Sequence, residues 1–520
     1  MQAQGPANQH ANQHFQQQLQ HEVQQAVDVL QQGRDADAVA MLKATLDRAM
    51  PPPQVLGQLG QALMQGGALA LARATLDRWW AMEPRNPIPP TMIGSVCYRQ
   101  RDYEQAAKHY AEAAKRDPKP LRSNALLAES LERLNRLAEA EAAADAALAV
   151  DRHDPAANYV LAQVEHRSKR SEAAADRLFE VLAKTDRKPK PRTEVSIRMT
   201  LGIVLDALGR YDEAMEQFEQ GNTVWLGLPQ TQAIDRSAVF ERIEAFRAWI
   251  DEADVSGWPG NRPEGSPPPP VFFVAFPRSG TTLTEQMLGA HPKLASVDEQ
   301  PLLASVAKHA ASMGRSVPQG LDKLDEPQRA ELERVYWAVA KQITGFDAGS
   351  SDGAQLIDKL PLNIIQLPLV RRIFPDARVI VALRDPRDCV LSAFMQEFAP
   401  NEAMVQTAKL ETCARMYAEV MGLWLAYRDR LGLAHIETRY EDLVADPEAS
   451  MRRLIEFLGL PWDVAVLEGG GTRVANTPSF RAVGGAVHTK AAGRWRRYKA
   501  EARAIEPTVA PLIEAFGYER

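Results

Sequence analysis

The chain has 520 residues, of which 45% are hydrophobic and 25% charged, and its formal net charge at pH 7 is −6. This length exceeds what one hydrophobic core organises, the composition is ordinary for a globular protein, and the acidity argues against general nucleic-acid binding. The three cysteines, Cys97, Cys389 and Cys413, have no metal-site spacing and are too few for a disulfide framework.

The N-terminal sequence MQAQGPANQHANQHFQQQ is polar and rich in glutamine. It has neither the basic region nor the apolar region of a secretory signal, and no later segment is apolar over the length of a membrane span. We therefore expect a flexible polar tail over residues 1–14, a helix beginning near Phe15, and a cytoplasmic protein without a membrane span.

Residues 15–250 are rich in Ala, Leu, Gln, Glu and Arg, and their apolar residues recur at helical spacing. Segments such as 101–118 and 209–222 align with each other, so that small residues occupy one equivalent position in each repeat. These residues are Val39, Ala72, Ala106, Ala140, Ala173 and Ala214, with steps of 33, 34, 34, 33 and 41 residues. A period near 34 with a Glu-Ala core and a trailing Asp-Pro is typical of tetratricopeptide repeats, in which each unit is an antiparallel helix pair.

Stacked helix pairs form an α-solenoid whose concave surface commonly binds an extended peptide or a partner protein. The repeats therefore predict a peptide or protein partner on the concave face. Dimerisation and rigid spacing are alternatives that the same sequence allows. The long last step predicts an insertion, with a loop at residues 188–191.

The segment after the repeats includes GWPGNRPEGSPPPP (257–270), which has too much proline and glycine for a helix or a central strand. We predict a short, partly stiff linker over residues 251–270. Residues 271–282 then read VFFVAFPRSGTT, which predicts an apolar strand, a tight turn and the start of a helix. This arrangement directs backbone N–H groups and the positive end of the helix dipole at one point, where an anion can bind.

The loop after this strand carries the predicted phosphate-binding residues. They are Pro277, Arg278, Ser279, Gly280, Thr281 and Thr282. Arg278 supplies a charged group, Gly280 lets the backbone approach a ligand, and the threonines add hydroxyl donors. A P-loop of the form GxxxxGK[ST] would need Gly at Ala275 and Lys at Thr281, so a P-loop kinase is a less favoured alternative.

The sequence PRSGTTL resembles the 5′-phosphosulfate loop of the sulfotransferases, and the second half of the chain is similar to that family in three further segments, 378–394, 440–462 and 493–498. The resemblance implies an α/β domain over residues 271–520, with a P-loop-like parallel sheet flanked by helices. It implies 3′-phosphoadenylyl sulfate (PAPS) as the sulfuryl donor, 3′-phosphoadenosine 5′-phosphate (PAP) as the product, and no metal. Within the family, the chain is most similar to the tyrosylprotein enzymes and to bacterial enzymes with tetratricopeptide repeats.

The same resemblance implies roles for individual residues. Arg384 and Ser392, eight positions apart, resemble the arginine and serine that hold the 3′-phosphate of the donor. Glu299, 21 positions after Arg278, resembles the catalytic base of the tyrosylprotein enzymes, and Lys359 resembles their catalytic lysine.

A final pair of donor contacts is implied near the C-terminus. Ser479 and Arg494 resemble a serine and a basic residue that contact donor phosphates in the relatives. The sequence between them departs from the family pattern, because RAVGGAVH (481–488) lacks the usual Gln and Pro-Ile-Tyr.

Together these residues predict one-step transfer of a sulfuryl group to an acceptor hydroxyl, with Glu299 taking the hydroxyl proton and Lys359 placing positive charge on the bridging oxygen. Peptide tyrosine, a saccharide and a small phenol all stay open as the acceptor. The main alternative is a non-catalytic tetratricopeptide scaffold with a degenerate nucleotide-binding domain. The joint presence of Arg278, Glu299, Lys359, Arg384 and Ser392 counts against that alternative.

Overall fold

The computed structural model describes residues 6–31, 34–48, 51–184, 186, 188–260, 262, 266–297, 299–349, 353–468 and 492–519. By its internal contacts the chain divides into two compact units, residues 1–210 and residues 211–520.

The regular structure of the first unit is helical wherever the structure describes it, and consecutive helices pack against each other. Its helices in the described residues are α1 (Pro6–Gln31), α2 (Asp35–Arg48), α3 (Pro53–Gln65), α4 (Leu69–Met82), α5 (Ile88–Arg99), α6 (Tyr103–Arg116), α7 (Leu121–Arg133), α8 (Leu137–Val150), α9 (Pro155–Arg167), α10 (Ser171–Ala183) and α11 (Pro191–Ala207). The first helix begins at Pro6, within the segment for which the sequence predicts a flexible tail, and residues 1–5 lie outside the described part.

Small buried residues recur at a regular interval along the first unit and define its repeat. Fully buried alanines recur at positions 38, 72, 106, 140 and 174, which are 34 residues apart in each case. The sequence alignment is wrong by one residue at two positions, because Val39 is only half-buried and Ala173 is exposed. In an alanine-rich segment such as EAAAD (172–176), composition cannot distinguish the alanine that faces the neighbouring helix from the one beside it.

The second unit combines helices with a parallel sheet. Its strands are β1 (Val271–Ala275), β2 (Leu294–Val297), β3 (Gln355–Lys359), β4 (Arg378–Leu383) and β5 (Ala434–Arg439). Its described α-helices are α12 (Tyr211–Leu226), α13 (Pro229–Gln232), α14 (Ala238–Glu252), α15 (Thr281–Leu288), α16 (Leu302–Ser312), α17 (Glu326–Thr344), α18 (Leu367–Ile373), α19 (Pro386–Phe394), α20 (Leu410–Arg430), α21 (Tyr440–Ala445), α22 (Pro447–Phe457), α23 (Ala465–Glu468) and α24 (Lys499–Ala515). Short 3₁₀ helices lie at Leu321–Lys323, Pro361–Gln366, Met404–Ala408 and Arg494–Arg497.

The five strands are ordered β2-β3-β1-β4-β5, and every neighbouring pair is parallel. Strand β1 is central and all of its residues are buried, as expected for a parallel sheet that is covered on both faces. In the register, Val271 pairs with Ile357 of β3 on one side and with Arg378 of β4 on the other. The predicted fold class, a helical solenoid followed by a parallel α/β domain, is therefore confirmed.

Helices α12 to α14 belong to the second unit, although the sequence of α12 continues the repeat pattern. Val239, Ile243 and Phe246 of α14 lie in the same hydrophobic core as Phe272 of β1. The boundary between the compact units therefore falls well before residue 250, where the sequence predicts the end of the repeats.

The described part of the predicted linker is bound to the second unit. The side chain of Arg262 is 5% exposed and forms ion pairs with Asp376 at 2.8 Å and with Glu333 at 2.6 Å. Arg371 donates a hydrogen bond to the carbonyl oxygen of Pro259 at 2.7 Å. Over its described residues, this segment is therefore held against the second unit. Separately, no helix that the structure describes combines the length and the apolar character needed to cross a membrane.

Candidate active site

The predicted site residues follow the carboxyl ends of four neighbouring strands. Arg278 comes after β1, Glu299 after β2, and Arg384 after β4, while Lys359 is the last residue of β3. Because all strands are parallel, these ends meet at one edge of the sheet, which is where ligands bind in open α/β folds. The topology thus brings residues that are far apart in sequence to one place.

The loop between β1 and α15 has the strained backbone that a close anion-binding turn requires. Gly280 has a φ of +90°, and a Cβ atom at this position would lie 2.5 Å from the ring of Tyr440. Arg278 also has a positive φ of 72°, which is uncommon for a residue with a side chain. The Ser279 hydroxyl donates to the carbonyl oxygen of Phe276 at 2.8 Å and fixes the start of the turn.

Helix α15 begins directly after this turn. Its first residues, Thr281 and Thr282, are buried, as are Pro277 and Ser279 in the loop. The N–H groups of the first turn of a helix have no partner within the helix and carry the positive end of its dipole. The predicted strand, turn and helix are therefore all present, in the order that a phosphate-binding loop requires.

The loop after β4 contacts the loop after β1. Arg384 donates to the carbonyl oxygen of Arg278 at 3.1 Å, and Nε of Arg278 donates to the hydroxyl of Ser392 at 3.1 Å. Ser392 lies near the end of α19, and Asp385, directly after Arg384, is the N-cap of that helix. The structure thus places Arg278, Arg384 and Ser392 in one hydrogen-bonded group.

Asp388, in the first turn of α19, joins this group to a segment near the C-terminus. Its carboxylate is fully buried and lies 3.3 Å from the guanidinium of Arg384. It also accepts hydrogen bonds from the backbone N–H groups of Gly493 at 2.7 Å and Trp495 at 2.8 Å. Arg494, between these two residues, is thereby held near the loop. Ser479, the other donor contact predicted from sequence, lies outside the described residues.

The guanidinium of Arg278 lies close to the positive charges of two other arginines. Burial lowers the pKa of Arg278 to about 10, and the neighbouring positive charges of Arg384 and Arg494 act in the same direction. An anion bound beside Arg278 would stabilise its buried positive charge. The residues present therefore fit a ligand with phosphate groups.

A second cluster surrounds Lys359. Its side chain is completely buried, and its ammonium lies 3.0 Å from Oε1 of Glu299 and 2.9 Å from Oε2 of Glu285. The pairing of β2 with β3, in which Val297 is opposite Asp358, brings Glu299 close to Lys359. The structure thus joins the two residues for which the sequence predicts catalytic roles.

Glu285 is a member of this cluster that the sequence analysis missed. It lies in α15, where Thr284 and Gln286 flank it and give no sign that it faces the sheet rather than solvent. The one available signal is its position four residues after Thr281, the first residue of α15, because that spacing is about one helical turn from the phosphate loop.

Asp358, next to Lys359 in β3, points to the opposite face of the sheet, because side chains alternate along a strand. It accepts hydrogen bonds from the hydroxyl of Tyr336 at 2.9 Å and from the amide of Asn363 at 3.2 Å. Burial raises the pKa of Asp358 to about 7, and these two hydrogen bonds oppose the increase. Among the described residues, no three His, Cys, Asp or Glu side chains are grouped so that they could hold a metal ion.

Family models match both parts of the chain. Residues 269–464 match the model described as the sulfotransferase family. Residues 23–87, 98–164 and 135–220 match models of the tetratricopeptide repeat. Both resemblances that the sequence predicts are therefore confirmed.

Curated relatives include an uncharacterized protein from Aquifex aeolicus, 27% identical over 476 residues, which are 89% of this chain and 59% of that protein. Protein-tyrosine sulfotransferase A of Caenorhabditis elegans is 27% identical over 203 residues, which are 38% of this chain and 52% of the relative. Protein-tyrosine sulfotransferase 1 of Danio rerio is 26% identical over 262 residues, which are 48% of this chain and 72% of the relative. The alignments thus span between half and three quarters of these relatives' own length.

Among solved structures, the sulfotransferase domain of the Synechococcus PCC 7002 olefin synthase is 22% identical and has a TM-score of 0.34; the alignment covers 51% of this chain and 100% of that domain. A thermophilic tetratricopeptide protein of Thermus thermophilus is 19% identical, with a TM-score of 0.29, over 36% of this chain and 98% of its own. Likenesses this distant say nothing of a substrate. With the family models, the relatives and the geometry taken together, the chain carries tetratricopeptide repeats followed by a C-terminal domain of the sulfotransferase family.

Proposed function

We propose that the second unit is a sulfotransferase that moves a sulfuryl group from PAPS to an acceptor hydroxyl. The observation that supports this most directly is the group formed by Arg278, Arg384 and Arg494, in which the neighbouring positive charges help to lower the pKa of Arg278. A donor with phosphates at both its 5′ and 3′ positions offers negative charge to more than one of these arginines.

In this proposal, each phosphate of the donor is bound by residues that follow a different strand of the sheet. The loop of residues 277–282, with the N-terminus of α15, holds the 5′-phosphate through backbone N–H groups and Arg278. Arg384 and Ser392 hold the 3′-phosphate, and Arg494 adds a further positive charge. The family resemblance extends this to Ser479. When bound, PAPS supplies a sulfuryl group attached to a phosphate that can leave.

The proposed chemistry uses the pair formed by Glu299 and Lys359. The Glu299 side chain is 37% exposed, so an acceptor hydroxyl can reach its carboxylate and give up its proton there. Lys359 is buried and can neutralise the charge that grows on the bridging oxygen. The acceptor oxygen gains the bond to sulfur, the bond from sulfur to the bridging phosphate oxygen breaks, and PAP leaves with the electron pair.

The acceptor that we propose is a tyrosine hydroxyl of a peptide or protein. Two observations support it: the named relatives are protein-tyrosine sulfotransferases, and repeat arrays of this type commonly bind extended peptides on the concave face. In this proposal the repeats bind the protein that carries the acceptor.

The donor assignment is tested by calorimetric titration of the purified chain with PAP, using AMP and ATP as controls. Tight binding that depends on the 3′-phosphate is the expected result. A preference for ATP would favour a kinase, and no binding by a folded chain would favour the scaffold alternative.

The acceptor assignment is tested separately, with labelled PAPS and two acceptors, a tyrosine peptide and a small phenol. Transfer of label to the peptide at a much higher kcat/KM is expected. Equal or better transfer to the phenol would refute the choice of peptide tyrosine while leaving the sulfotransferase assignment intact.

A further inference from the structure

Three elements converge on the ammonium group of Lys359. Lys359 ends β3, Glu299 follows β2, and Glu285 lies in α15, the helix that begins at the phosphate loop. Oε2 of Glu285 is 2.9 Å from the ammonium and Oε1 of Glu299 is 3.0 Å from it. The two carboxylates are therefore equally close to Lys359, although only Glu299 is predicted from the sequence.

Their surroundings differ. The Glu285 side chain is 10% exposed, whereas the Glu299 side chain is 37% exposed. The hydroxyl of Ser296, in β2, donates a hydrogen bond to Oε1 of Glu285. Both carboxylate oxygens of Glu285 thus contact other side chains, and Glu299 is the more exposed of the two glutamates.

This difference matters during the proposed reaction. When Glu299 takes the acceptor proton its carboxylate becomes neutral, and its attraction for Lys359 falls. A buried ammonium that loses its counter-charge is strongly disfavoured and tends to move or to lose its proton. The Glu285 carboxylate, 10% exposed, is less open to an acceptor hydroxyl than that of Glu299.

We propose that Glu285 is a positioning residue, which keeps Lys359 charged and in place while Glu299 changes its protonation state. This inference rests on the proposed sulfotransferase function. It assigns to α15 a second task, because the same helix holds the donor phosphate at its N-terminus and the catalytic lysine through Glu285 one turn later.

The first test is Glu285→Gln in the full chain, assayed with labelled PAPS and a tyrosine peptide. We expect kcat to fall by about 10²-fold, as is typical when a catalytic group is displaced by about 1 Å. The KM for PAPS and the affinity for PAP should stay within about threefold, because the Glu285 carboxylate acts on Lys359 and not on the donor phosphates. Glu285→Asp should recover part of the lost kcat.

Two further variants keep the test decisive if Glu285→Gln folds poorly. Ser296→Ala removes a hydrogen bond to Glu285 without removing a charge, and it should lower kcat by a smaller factor with unchanged PAP binding. Glu448→Gln is the matched control, because Glu448 is 52% exposed and pairs with Arg452 on the surface of α22. It should leave kcat unchanged.

A double-mutant cycle in kcat that combines Glu285→Gln with Lys359→Ala tests whether Glu285 positions Lys359 or has a merely structural role. If Glu285 acts through Lys359, the double variant should be no slower than Lys359→Ala alone. Independent, multiplicative losses of kcat would overturn the inference, as would a parallel loss of PAP binding.

The same double-mutant cycle can also be measured through the free energy of unfolding of each variant. This measurement does not require that the protein be active. Strong coupling between Glu285→Gln and Lys359→Ala supports the proposed contact, and additive effects refute it. An inactive but folded wild-type chain would refute the proposed function, and the unfolding cycle would still decide whether Glu285 holds Lys359.

Discussion

Nε of Arg278 donates a hydrogen bond to the hydroxyl of Ser392 across 3.1 Å. The arginine belongs to the loop after β1 and the serine to the last turns of α19, so this bond joins the proposed 5′-phosphate and 3′-phosphate sites. Ser392 accepts this bond, and its own O–H can donate to a phosphate oxygen. We therefore expect donor binding at the two sites to be coupled.

Arg384→Ala should weaken PAP binding by about 2 kcal/mol or more, because it removes a charge-assisted contact to the proposed 3′-phosphate. Ser392→Ala should weaken it by about 1 kcal/mol, as is usual for a single neutral hydrogen bond. Calorimetric titration with PAP measures both. Arg452→Ala, at a surface residue that is 52% exposed, serves as the control for loss of charge. Equal affinities for Arg384→Ala and this control would contradict the assignment.

Glu299→Gln should abolish sulfuryl transfer and leave PAP affinity nearly unchanged, because in the proposed mechanism the carboxylate acts on the acceptor and not on the nucleotide. Transfer of label from PAPS and calorimetry with PAP, performed on the same preparation, separate the two effects. A loss of PAP binding as large as that of Arg384→Ala would mean that the proposed division of roles is wrong.

Gly280→Ala should destabilise the protein and weaken PAP binding, because alanine at a φ of +90° costs about 1–2 kcal/mol and its Cβ would overlap the ring of Tyr440. Gly314→Ala is a matched control, because Gly314 also has a positive φ, +72°, but nothing lies within 4 Å of its Cβ position. Melting temperatures and PAP affinities of the two variants isolate the contact with Tyr440. If both variants behave alike, that contact does not restrict the loop.

Asp358 should make the protein less stable as the pH rises from about 4 to about 7. Folded Asp358 keeps its proton up to a pKa of about 7, whereas unfolded aspartate loses it near the ordinary value of 3.8. The folded state binds more protons in this window, so the free energy of unfolding falls by up to about 1.4 kcal/mol per pH unit.

Asp358→Asn removes this titration and keeps an acceptor oxygen for Tyr336. Denaturant unfolding across the pH range should show that the variant gains stability relative to wild type as the pH increases. A difference between the two proteins that does not vary between pH 4 and pH 7 would show that Asp358 titrates normally.

A chain that begins at Tyr211 should fold and bind PAP, because the second compact unit starts there. A chain that begins at residue 257 should fold poorly, since it lacks Val239, Ile243 and Phe246 of the hydrophobic core. Circular dichroism and PAP calorimetry on both truncations test this. Equal behaviour of the two would show that α12 to α14 are dispensable for the second unit.

Much of the fold can be predicted from local sequence. The apolar runs before Pro277 and Arg384 predict β1 and β4, and the turn residues between strand and helix predict the phosphate loop. Parallel strands then bring Arg278, Lys359 and Arg384 to one edge without further information. The roles of these residues remain predictions, and so does that of Ser479.

Other features depend on packing that the sequence does not encode locally. Glu285 faces Lys359 only because α15 lies on the sheet with a particular rotation about its axis. Helix α12 carries a repeat-like sequence, yet it belongs to the second unit. Ala174 and not Ala173 is buried, because the rotation of α10 decides which of two adjacent alanines meets its neighbour.

Asp388 holds the chain near the C-terminus by accepting hydrogen bonds from the backbone N–H groups of Gly493 and Trp495. These hydrogen bonds involve backbone groups, so they do not depend on the side chain of the residue between Gly493 and Trp495. We therefore expect that Arg494 can be substituted while the backbone keeps its path past the proposed nucleotide site. Substitution of Arg494 is thus a way to alter the charge at the proposed donor site, and with it the choice of nucleotide, without rebuilding the fold.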